Sequence, residues 1–416
     1  MDDFQNVGTL GDNNLPTESS CSIYKLPVEI LSYVLECVAN IYSITTTDLE
    51  DITGDIHGEP QVVPIRNLES VRPSAVKPWL PLSLVCRNWH NAAVSTPSLW
   101  AVIIIPPWSR SPFYRVTKQL EQSKDVPIDI RIHMMEDSWI HTSSCIPKIC
   151  ILLLAHVHRW RSLEARVDSA AMHMHEILDT FSNTRVQITP QLTSIVLVCR
   201  GCQCMSSLPG GSFGFSASHL NTIRLIEVAV DWNRPWISSA SNLTTPDIRG
   251  YRAYIWPSWI QFCTILNGAP RLKALISEAK LRPRRSLTWV DPNLEDASEE
   301  YTMSPVELFG LRQLVINLPT AMAIYLLRRC YIPDLRKLIL CGPGQSDDIK
   351  PLVAQLIAPR HIAGISSALN QLPGTQERSR SLLAGVDYLC LDRFWCSTPS
   401  MESLYSNLNS LTSLVL

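Results

Sequence analysis

The 416-residue chain carries a formal net charge of -2, with 46% apolar and 18% charged residues. Such a composition supplies ample core and excludes general disorder, and the length exceeds one ordinary core, so two domains or a repeat array is expected. No long block of Lys or Arg is present to neutralise phosphates, so non-specific nucleic-acid binding has no compositional support.

The N-terminus, MDDFQNVG, lacks the basic start and apolar stretch of a signal peptide, which places the expected location in the cytosol or nucleus. Residues 1–22 hold four acids and no Lys or Arg, the composition of a disordered leader. The thirteen cysteines are odd in number and scattered, and in a reducing compartment they read as small buried apolar residues. Without secretion, the glycosylation acceptor pattern at Asn242-Leu243-Thr244 carries no meaning. The longest compact apolar run, Ile149 to Val157, falls far short of the roughly 20 residues a spanning helix needs.

A helix is expected after residue 22. Pro27 suits a first helical position and Glu29 a first turn, while Ile30, Leu31, Val34, Leu35 and Val38 share one apolar face. From about 41 to 79 the chain contains Pro60, Pro64, Pro73 and Pro78, and reads either as an inserted loop or as a boundary between unrelated helices. A second amphipathic stretch places Leu82, Val85, Cys86, Trp89 and Ala93 at helical spacing. Thr96-Pro97-Ser98 breaks it, and the β-branched run Val102 to Ile105 predicts a strand.

Three fragments of this region stand in a notable order: Leu26-Pro27-Val28-Glu29-Ile30-Leu31, then Leu84-Val85-Cys86-Arg87-Asn88-Trp89, then Pro97-Ser98-Leu99-Trp100. Together they resemble the F-box. The match covers about 23–40 and 80–103, roughly a tenth of the chain, and departs from the pattern by an insert of almost forty residues. In this it is similar to the interrupted F-boxes common in fungal members of the family. The resemblance implies a small helical module over 23–103 that docks on a Skp-type adaptor, and through it on cullin and RING subunits. Leu26, Pro27, Ile30, Leu31, Leu84, Val85 and Trp100 are the expected adaptor contacts, whereas Leu35, Cys86 and Trp89 are expected to close the module's own core.

The remainder, 104–416, repeats the pattern L-x-x-L-x-L with Ile or Val allowed. Copies lie at Leu192-Ile195-Leu197, Leu220-Ile223-Leu225, Leu311-Leu314-Ile316, Leu335-Leu338-Leu340, Val386-Leu389-Leu391 and Leu411-Leu414-Leu416, with a partial copy at Leu272-Leu275 and a poor one at Leu243. Successive starts are separated by 28, 23, 29, 39, 24, 51 and 25 residues. Several of these fall within the roughly 20–29 residues of leucine-rich repeats. Helical patterns at Trp259 to Leu266 and Ala321 to Arg329 alternate with them. The expected fold class is therefore α+β or α/β repeat: a small helical module followed by an irregular leucine-rich-repeat-like strand–helix solenoid. Irregularity follows because Arg200, Val228, Pro319, Pro343 and Phe394 stand where regular repeats place asparagine. The motif at the C-terminus lacks a polar capping repeat, which suggests a truncated chain. The middle motif positions Val196, Arg224, Val315, Ile339, Cys390 and Val415 are mostly apolar, so that face is either covered or receives a hydrophobic partner.

A metal site at Cys199, Cys202 and Cys204 lacks the second ligand pair that structural zinc takes, and His156-x-His158 and His173-x-His175 do not chelate easily from regular structure. No G-x-S-x-G elbow, Walker loop or dinucleotide fingerprint occurs. The reading is a non-catalytic adaptor without cofactor or metal, binding no nucleic acid or membrane, that brings a substrate protein to a ubiquitin ligase. The alternative is a repeat scaffold that only binds proteins, and a third possibility is an enzyme behind an F-box-like N-terminus.

Overall fold

The computed structural model describes residues 26–39, 79–105, 111–134, 145–168, 171–182, 189–200, 217–250, 256–279, 305–342, 349–358, 381–392 and 397–415. The expected leader, the insert up to residue 78, and Cys202 and Cys204 lie outside them. The described chain forms two compact units, one from 26–39 with 79–99 and one from Trp100 onward, so the Val102 strand begins the second unit.

In the first unit, helix α1 spans 28–39. The Pro27 carbonyl accepts from the Ile30 and Leu31 amides at 3.1 Å, so Pro27 closes the first turn from just outside it. Of the apolar face read from sequence, Leu31 and Leu35 are buried, Val34 and Val38 half-buried, and Ile30 exposed. The second amphipathic stretch is not one helix but two, α2 (Leu80–Ser83) and α3 (Arg87–Ser95). The break has a backbone cause: Cys86 is extended, at φ -161° and ψ 174°, and starts α3 as its N-cap. Leu84 and Val85 then sit in the intervening turn instead of on a helix. Trp89, Ala92 and Ala93 form the buried face of α3, Trp79 is buried at the start of α2, and a 3₁₀ turn over Pro97–Trp100 follows.

The second unit mixes helix and strand around a large parallel sheet. Its strands are β1 (Val102–Ile105), β2 (Ile128–Met134), β3 (Trp160–Asp168), β4 (Ser194–Arg200), β5 (Thr222–Ile226), β6 (Thr245–Arg249) and β7 (Ala274–Glu278). They continue with β8 (Val306–Glu307), β9 (Gln313–Asn317), β10 (Cys330–Tyr331), β11 (Lys337–Cys341), β12 (Tyr388–Asp392) and β13 (Ser413–Val415). Eleven of these lie side by side in chain order, each parallel to the next, while β8 and β10 pair separately. Parallel neighbours need a crossover each, and helices supply most of them. These are α4 (Pro112–Ser123), α5 (Ile146–Leu154), α6 (Ala171–Ser182), α7 (Pro235–Ser238), α8 (Trp259–Asn267), α9 (Thr320–Arg329), α10 (Lys350–Ile357) and α11 (Thr398–Ser406). None of these helices is long and apolar enough to cross a membrane.

The repeat motif maps onto this order. Ile195, Ile223 and Pro246 occupy equivalent positions on β4, β5 and β6, as do Leu275, Leu314, Leu338, Leu389 and Leu414 on β7, β9, β11, β12 and β13. The first leucines Leu192, Leu220, Leu243, Leu272, Leu311 and Leu335 are all buried, so the poor copy and the partial copy are full members. Their disguise is chemical: Pro246 replaces the second leucine of one, and buried Ser277 the third of the other. The array also starts three strands earlier than the motif, because β1, β2 and β3 bury Ile103, Ile105, Ile130, Ile132, Leu163 and Ala165 without a leading L-x-x-L.

Register is held by a backbone ladder at the beginning of the strands. The amide of the residue after each first leucine donates to the carbonyl of its counterpart one strand earlier. Thr193 donates to Arg161 at 2.8 Å, Asn221 to Thr193 at 2.8 Å, Thr244 to Asn221 at 2.8 Å and Lys273 to Thr244 at 2.9 Å. Arg312 then donates to Lys273 at 2.8 Å, Arg336 to Arg312 at 2.9 Å, Asp387 to Arg336 at 2.9 Å and Thr412 to Asp387 at 2.8 Å. This main-chain ladder satisfies a donor and an acceptor at each strand start without any side chain. Stacking is close enough that a Cβ on Gly310 would lie 3.0 Å from the Leu272 carbonyl oxygen, which favours glycine there.

One face of the sheet packs against the helices in a continuous core that includes Trp160, Phe181, Phe262, Leu326, Leu356 and Leu404. Trp160 meets Phe181 edge-on at 5.3 Å, and Trp259 of α8 meets Tyr325 of α9 at 5.0 Å and 88°. Helix α8 opens with a capping box, as Gln261 N–H donates to Ser258 Oγ and Ser258 N–H to Gln261 Oε1.

Candidate partner-binding surfaces

The first surface belongs to the helical unit. Hydrogen bonds join its sequence-distant halves: the Ser32 and Thr96 hydroxyls meet at 2.8 Å, and Ser98 Oγ donates to the Glu36 carboxylate. Leu31 and Leu35, 2% and 0% exposed, lie inside with Trp89 at 4%. Of the expected contact residues, Leu84 is 77% exposed, Val85 54% and Ile30 47%; Pro27 is also exposed, and Leu26 and Trp100 are half-buried. Leu31 therefore sits with the core residues. Cys86, expected in the core, is half-buried at the α3 N-cap.

This unit holds under a sixth of the described residues yet contributes half of their exposed large apolar side chains, namely Val28, Ile30, Tyr33, Leu80, Leu84, Val85 and Val94. Scattered exposed apolar residues are ordinary, whereas a concentration of them marks an interaction surface. Sequence reasoning missed Val28, Tyr33, Leu80 and Val94, because a helical pattern shows which side chains are apolar but not which are left uncovered.

The second surface is the sheet face opposite the helices. Strand alternation brings Arg131, Glu164, Val196 and Arg224 into one row across β2 to β5, which Asp247, Ile276, Val315, Ile339 and Cys390 continue. Its first part is ionic. Glu164 pairs with Arg166, with His133 Nε2 at 3.5 Å and with Arg131 Nε at 3.8 Å. Burial pushes the Glu164 carboxyl upward, but the close approach of the His133 ring and the charges of Arg166, His133 and Arg131 outweigh it and hold the pKa down to about 2.

Further along, Asp247 receives Arg249 on both oxygens, at 2.7 and 3.0 Å, and Arg224 at 3.1 Å. Arg249 reaches on to Glu278 at 3.8 Å, and Glu278 accepts from Asn317 at 3.0 Å. The chain of charges thus crosses β5, β6 and β7, and the neutral Asn317 amide extends the network to β9. Beyond it the row turns apolar, and Ile339 and Cys390 are 7% and 4% exposed. The middle motif positions named from sequence fall in this one row, with Val196, Arg224, Val315 and Val415 half-buried. The ionic partners were missed because they sit on different strands and come together only through register.

Cys199 is buried in β4, and His173 and His175 fall on α6, not on a strand. Among the described residues no three His, Cys, Asp or Glu are placed to hold a metal ion. The chain matches no protein-family model and no curated protein.

Proposed function

We propose that the protein is a substrate receptor of a cullin–RING ubiquitin ligase, acting in the cytosol or nucleus. In this reading the helical unit is an interrupted F-box that docks on a Skp-type adaptor, and the parallel array is a leucine-rich-repeat-like solenoid that holds a substrate protein. The observation that carries the reading is the concentration of exposed apolar side chains on a unit whose sequence resembles the F-box. The bonds Ser32–Thr96 and Ser98–Glu36 support it, since a docking surface assembled from both halves needs the halves joined. A few such anchors carry most of a protein interface, each contributing about 2 kcal/mol or more. The receptor does no chemistry; it raises the substrate's effective concentration near the conjugating enzyme.

Co-purification of the full chain with a Skp-type adaptor tests this. Wild type is expected to bind, and a triple variant with Ile30→Ala, Leu84→Ala and Val85→Ala to lose binding while keeping its far-UV circular dichroism. A well-folded wild type that fails to bind overturns the receptor assignment and leaves a protein-binding scaffold.

A further inference from the structure

Along the strand-start ladder, three successive positions carry bases: Lys273 before β7, Arg312 before β9 and Arg336 before β11. The ladder bonds at 2.8 and 2.9 Å fix them as immediate neighbours. The three ladder positions immediately before them, Thr193, Asn221 and Thr244, are uncharged, Arg161 at the head of the ladder is paired with Asp129, and Asp387 follows. All three bases are exposed, and none makes an ion pair or side-chain hydrogen bond among the described residues. Arg131, Arg166, Arg224 and Arg249 on the sheet face, by contrast, all pair with carboxylates. A cavity of about 320 Å³ opens between Arg312, Asp334 and Arg336.

We propose that this basic row docks an acidic segment of a partner protein, laid across the strands. The inference deepens the protein-binding role given above to the parallel array and needs nothing from adaptor docking. Neighbouring strands lie roughly 4.8 Å apart, so Lys273 and Arg336 are separated by about 10 Å. A peptide in the polyproline II conformation turns once every three residues and advances about 3.1 Å per residue, so carboxylates at positions i and i+3 lie on one face roughly 9 Å apart and match that span. Arg312, between them, offers a planar fork to either carboxylate or to the backbone carbonyls linking them.

Asp334 selects among anions. As a wall of the same cavity it opposes a dianionic phosphate more than a singly charged carboxylate, and it offers an acceptor to a peptide N–H. A nucleic acid fits poorly, because its backbone presents charges well beyond three positions and no long basic block continues the row.

The test uses the full chain and fluorescence anisotropy of a labelled twelve-residue peptide with Glu at every third position. Three companion probes are its Gln counterpart, its phosphoserine counterpart and an oligothymidylate. The Glu peptide is expected to bind, the Gln peptide and the Arg312→Gln/Arg336→Gln variant to lose about tenfold in affinity, and 0.5 M salt to weaken binding by screening. Lys148→Gln, which removes one positive charge at an exposed position of α5, is expected to leave affinity unchanged, and Arg312→Lys/Arg336→Lys to retain part of it. Undetectable binding of the Glu peptide, equal binding of the Gln peptide, an unaltered Gln variant, or tighter binding of the phosphoserine peptide or the oligothymidylate overturns the proposal. Because these side chains are exposed, the Gln variant is expected to co-purify with the adaptor as wild type does, which separates this test from that of the receptor assignment.

Discussion

Thr96 and Ser32 share a hydrogen bond at 2.8 Å although 64 residues separate them in the chain. Thr96 Oγ1 also lies 2.6 Å from the Ala92 carbonyl, so one side chain both ends α3 and ties it to α1. Thr96→Val keeps the shape and removes the hydroxyl, and it is expected to cost about 1 kcal/mol. Hydrogen exchange read by mass spectrometry should show the 28–39 amides exchanging about fivefold faster, since about 1.4 kcal/mol is a factor of ten.

Exposed and buried leucines of the same unit should behave in opposite ways. Leu84→Ala alters a side chain 77% exposed, so stability should stay within about 0.5 kcal/mol while adaptor affinity falls at least about tenfold. Leu35→Ala opens a cavity at a fully buried position and is expected to cost about 2–5 kcal/mol of stability. Urea denaturation beside an adaptor titration separates the two effects. A large stability loss for Leu84→Ala would show that Leu84 serves the fold and not the interface.

Glu164 makes the array acid-sensitive. Its folded pKa, about 2, lies below its ordinary value of 4.5, so the ionised carboxylate stabilises the fold above pH 4.5. That contribution disappears as pH falls from about 4.5 toward 2. Glu164→Gln should lower stability at pH 7, because Arg131 and Arg166 lose their counter-charge, and should flatten the dependence of Tm on pH across this window. A variant with the wild-type slope would assign the acid response to other carboxylates.

Burial also sets thiol reactivity. Desolvation pushes the Cys150 thiol up to about 12 and the Cys263 thiol up to about 11, the latter against the opposing pull of Arg329. Both should resist iodoacetamide at pH 8 in the native protein and react after denaturation. Half-buried Cys37 and Cys86 should be labelled sooner. Peptide mapping after timed alkylation reads the order directly.

Much of the array was legible in sequence because its period is local: Leu311, Leu314 and Ile316 announce a strand from a few neighbouring residues. What escaped was set at a distance or by exposure. β2 and β3 carry alternating apolar residues without the leading leucine, and Pro246 hides its strand because a proline argues against a central strand position. The helical reading across Val85 and Cys86 failed because spacing alone cannot show that one residue, Cys86, leaves the helical conformation. The pairs Arg224–Asp247 and Ser32–Thr96 depend on register and tertiary approach, which no window along the chain reports.

The strand-start ladder also works as a ruler. Each rung fixes the two residues between the first and second leucines of a motif, and that separation is constant from Leu192 to Leu411 while the distance between motif starts ranges from 23 to 51. Length is therefore added only after a strand leaves the sheet and before the next first leucine. Segments can lengthen there without shifting Lys273, Arg312 and Arg336 relative to one another. The array can thus acquire new surface on its crossover side while the spacing of its basic row stays constant.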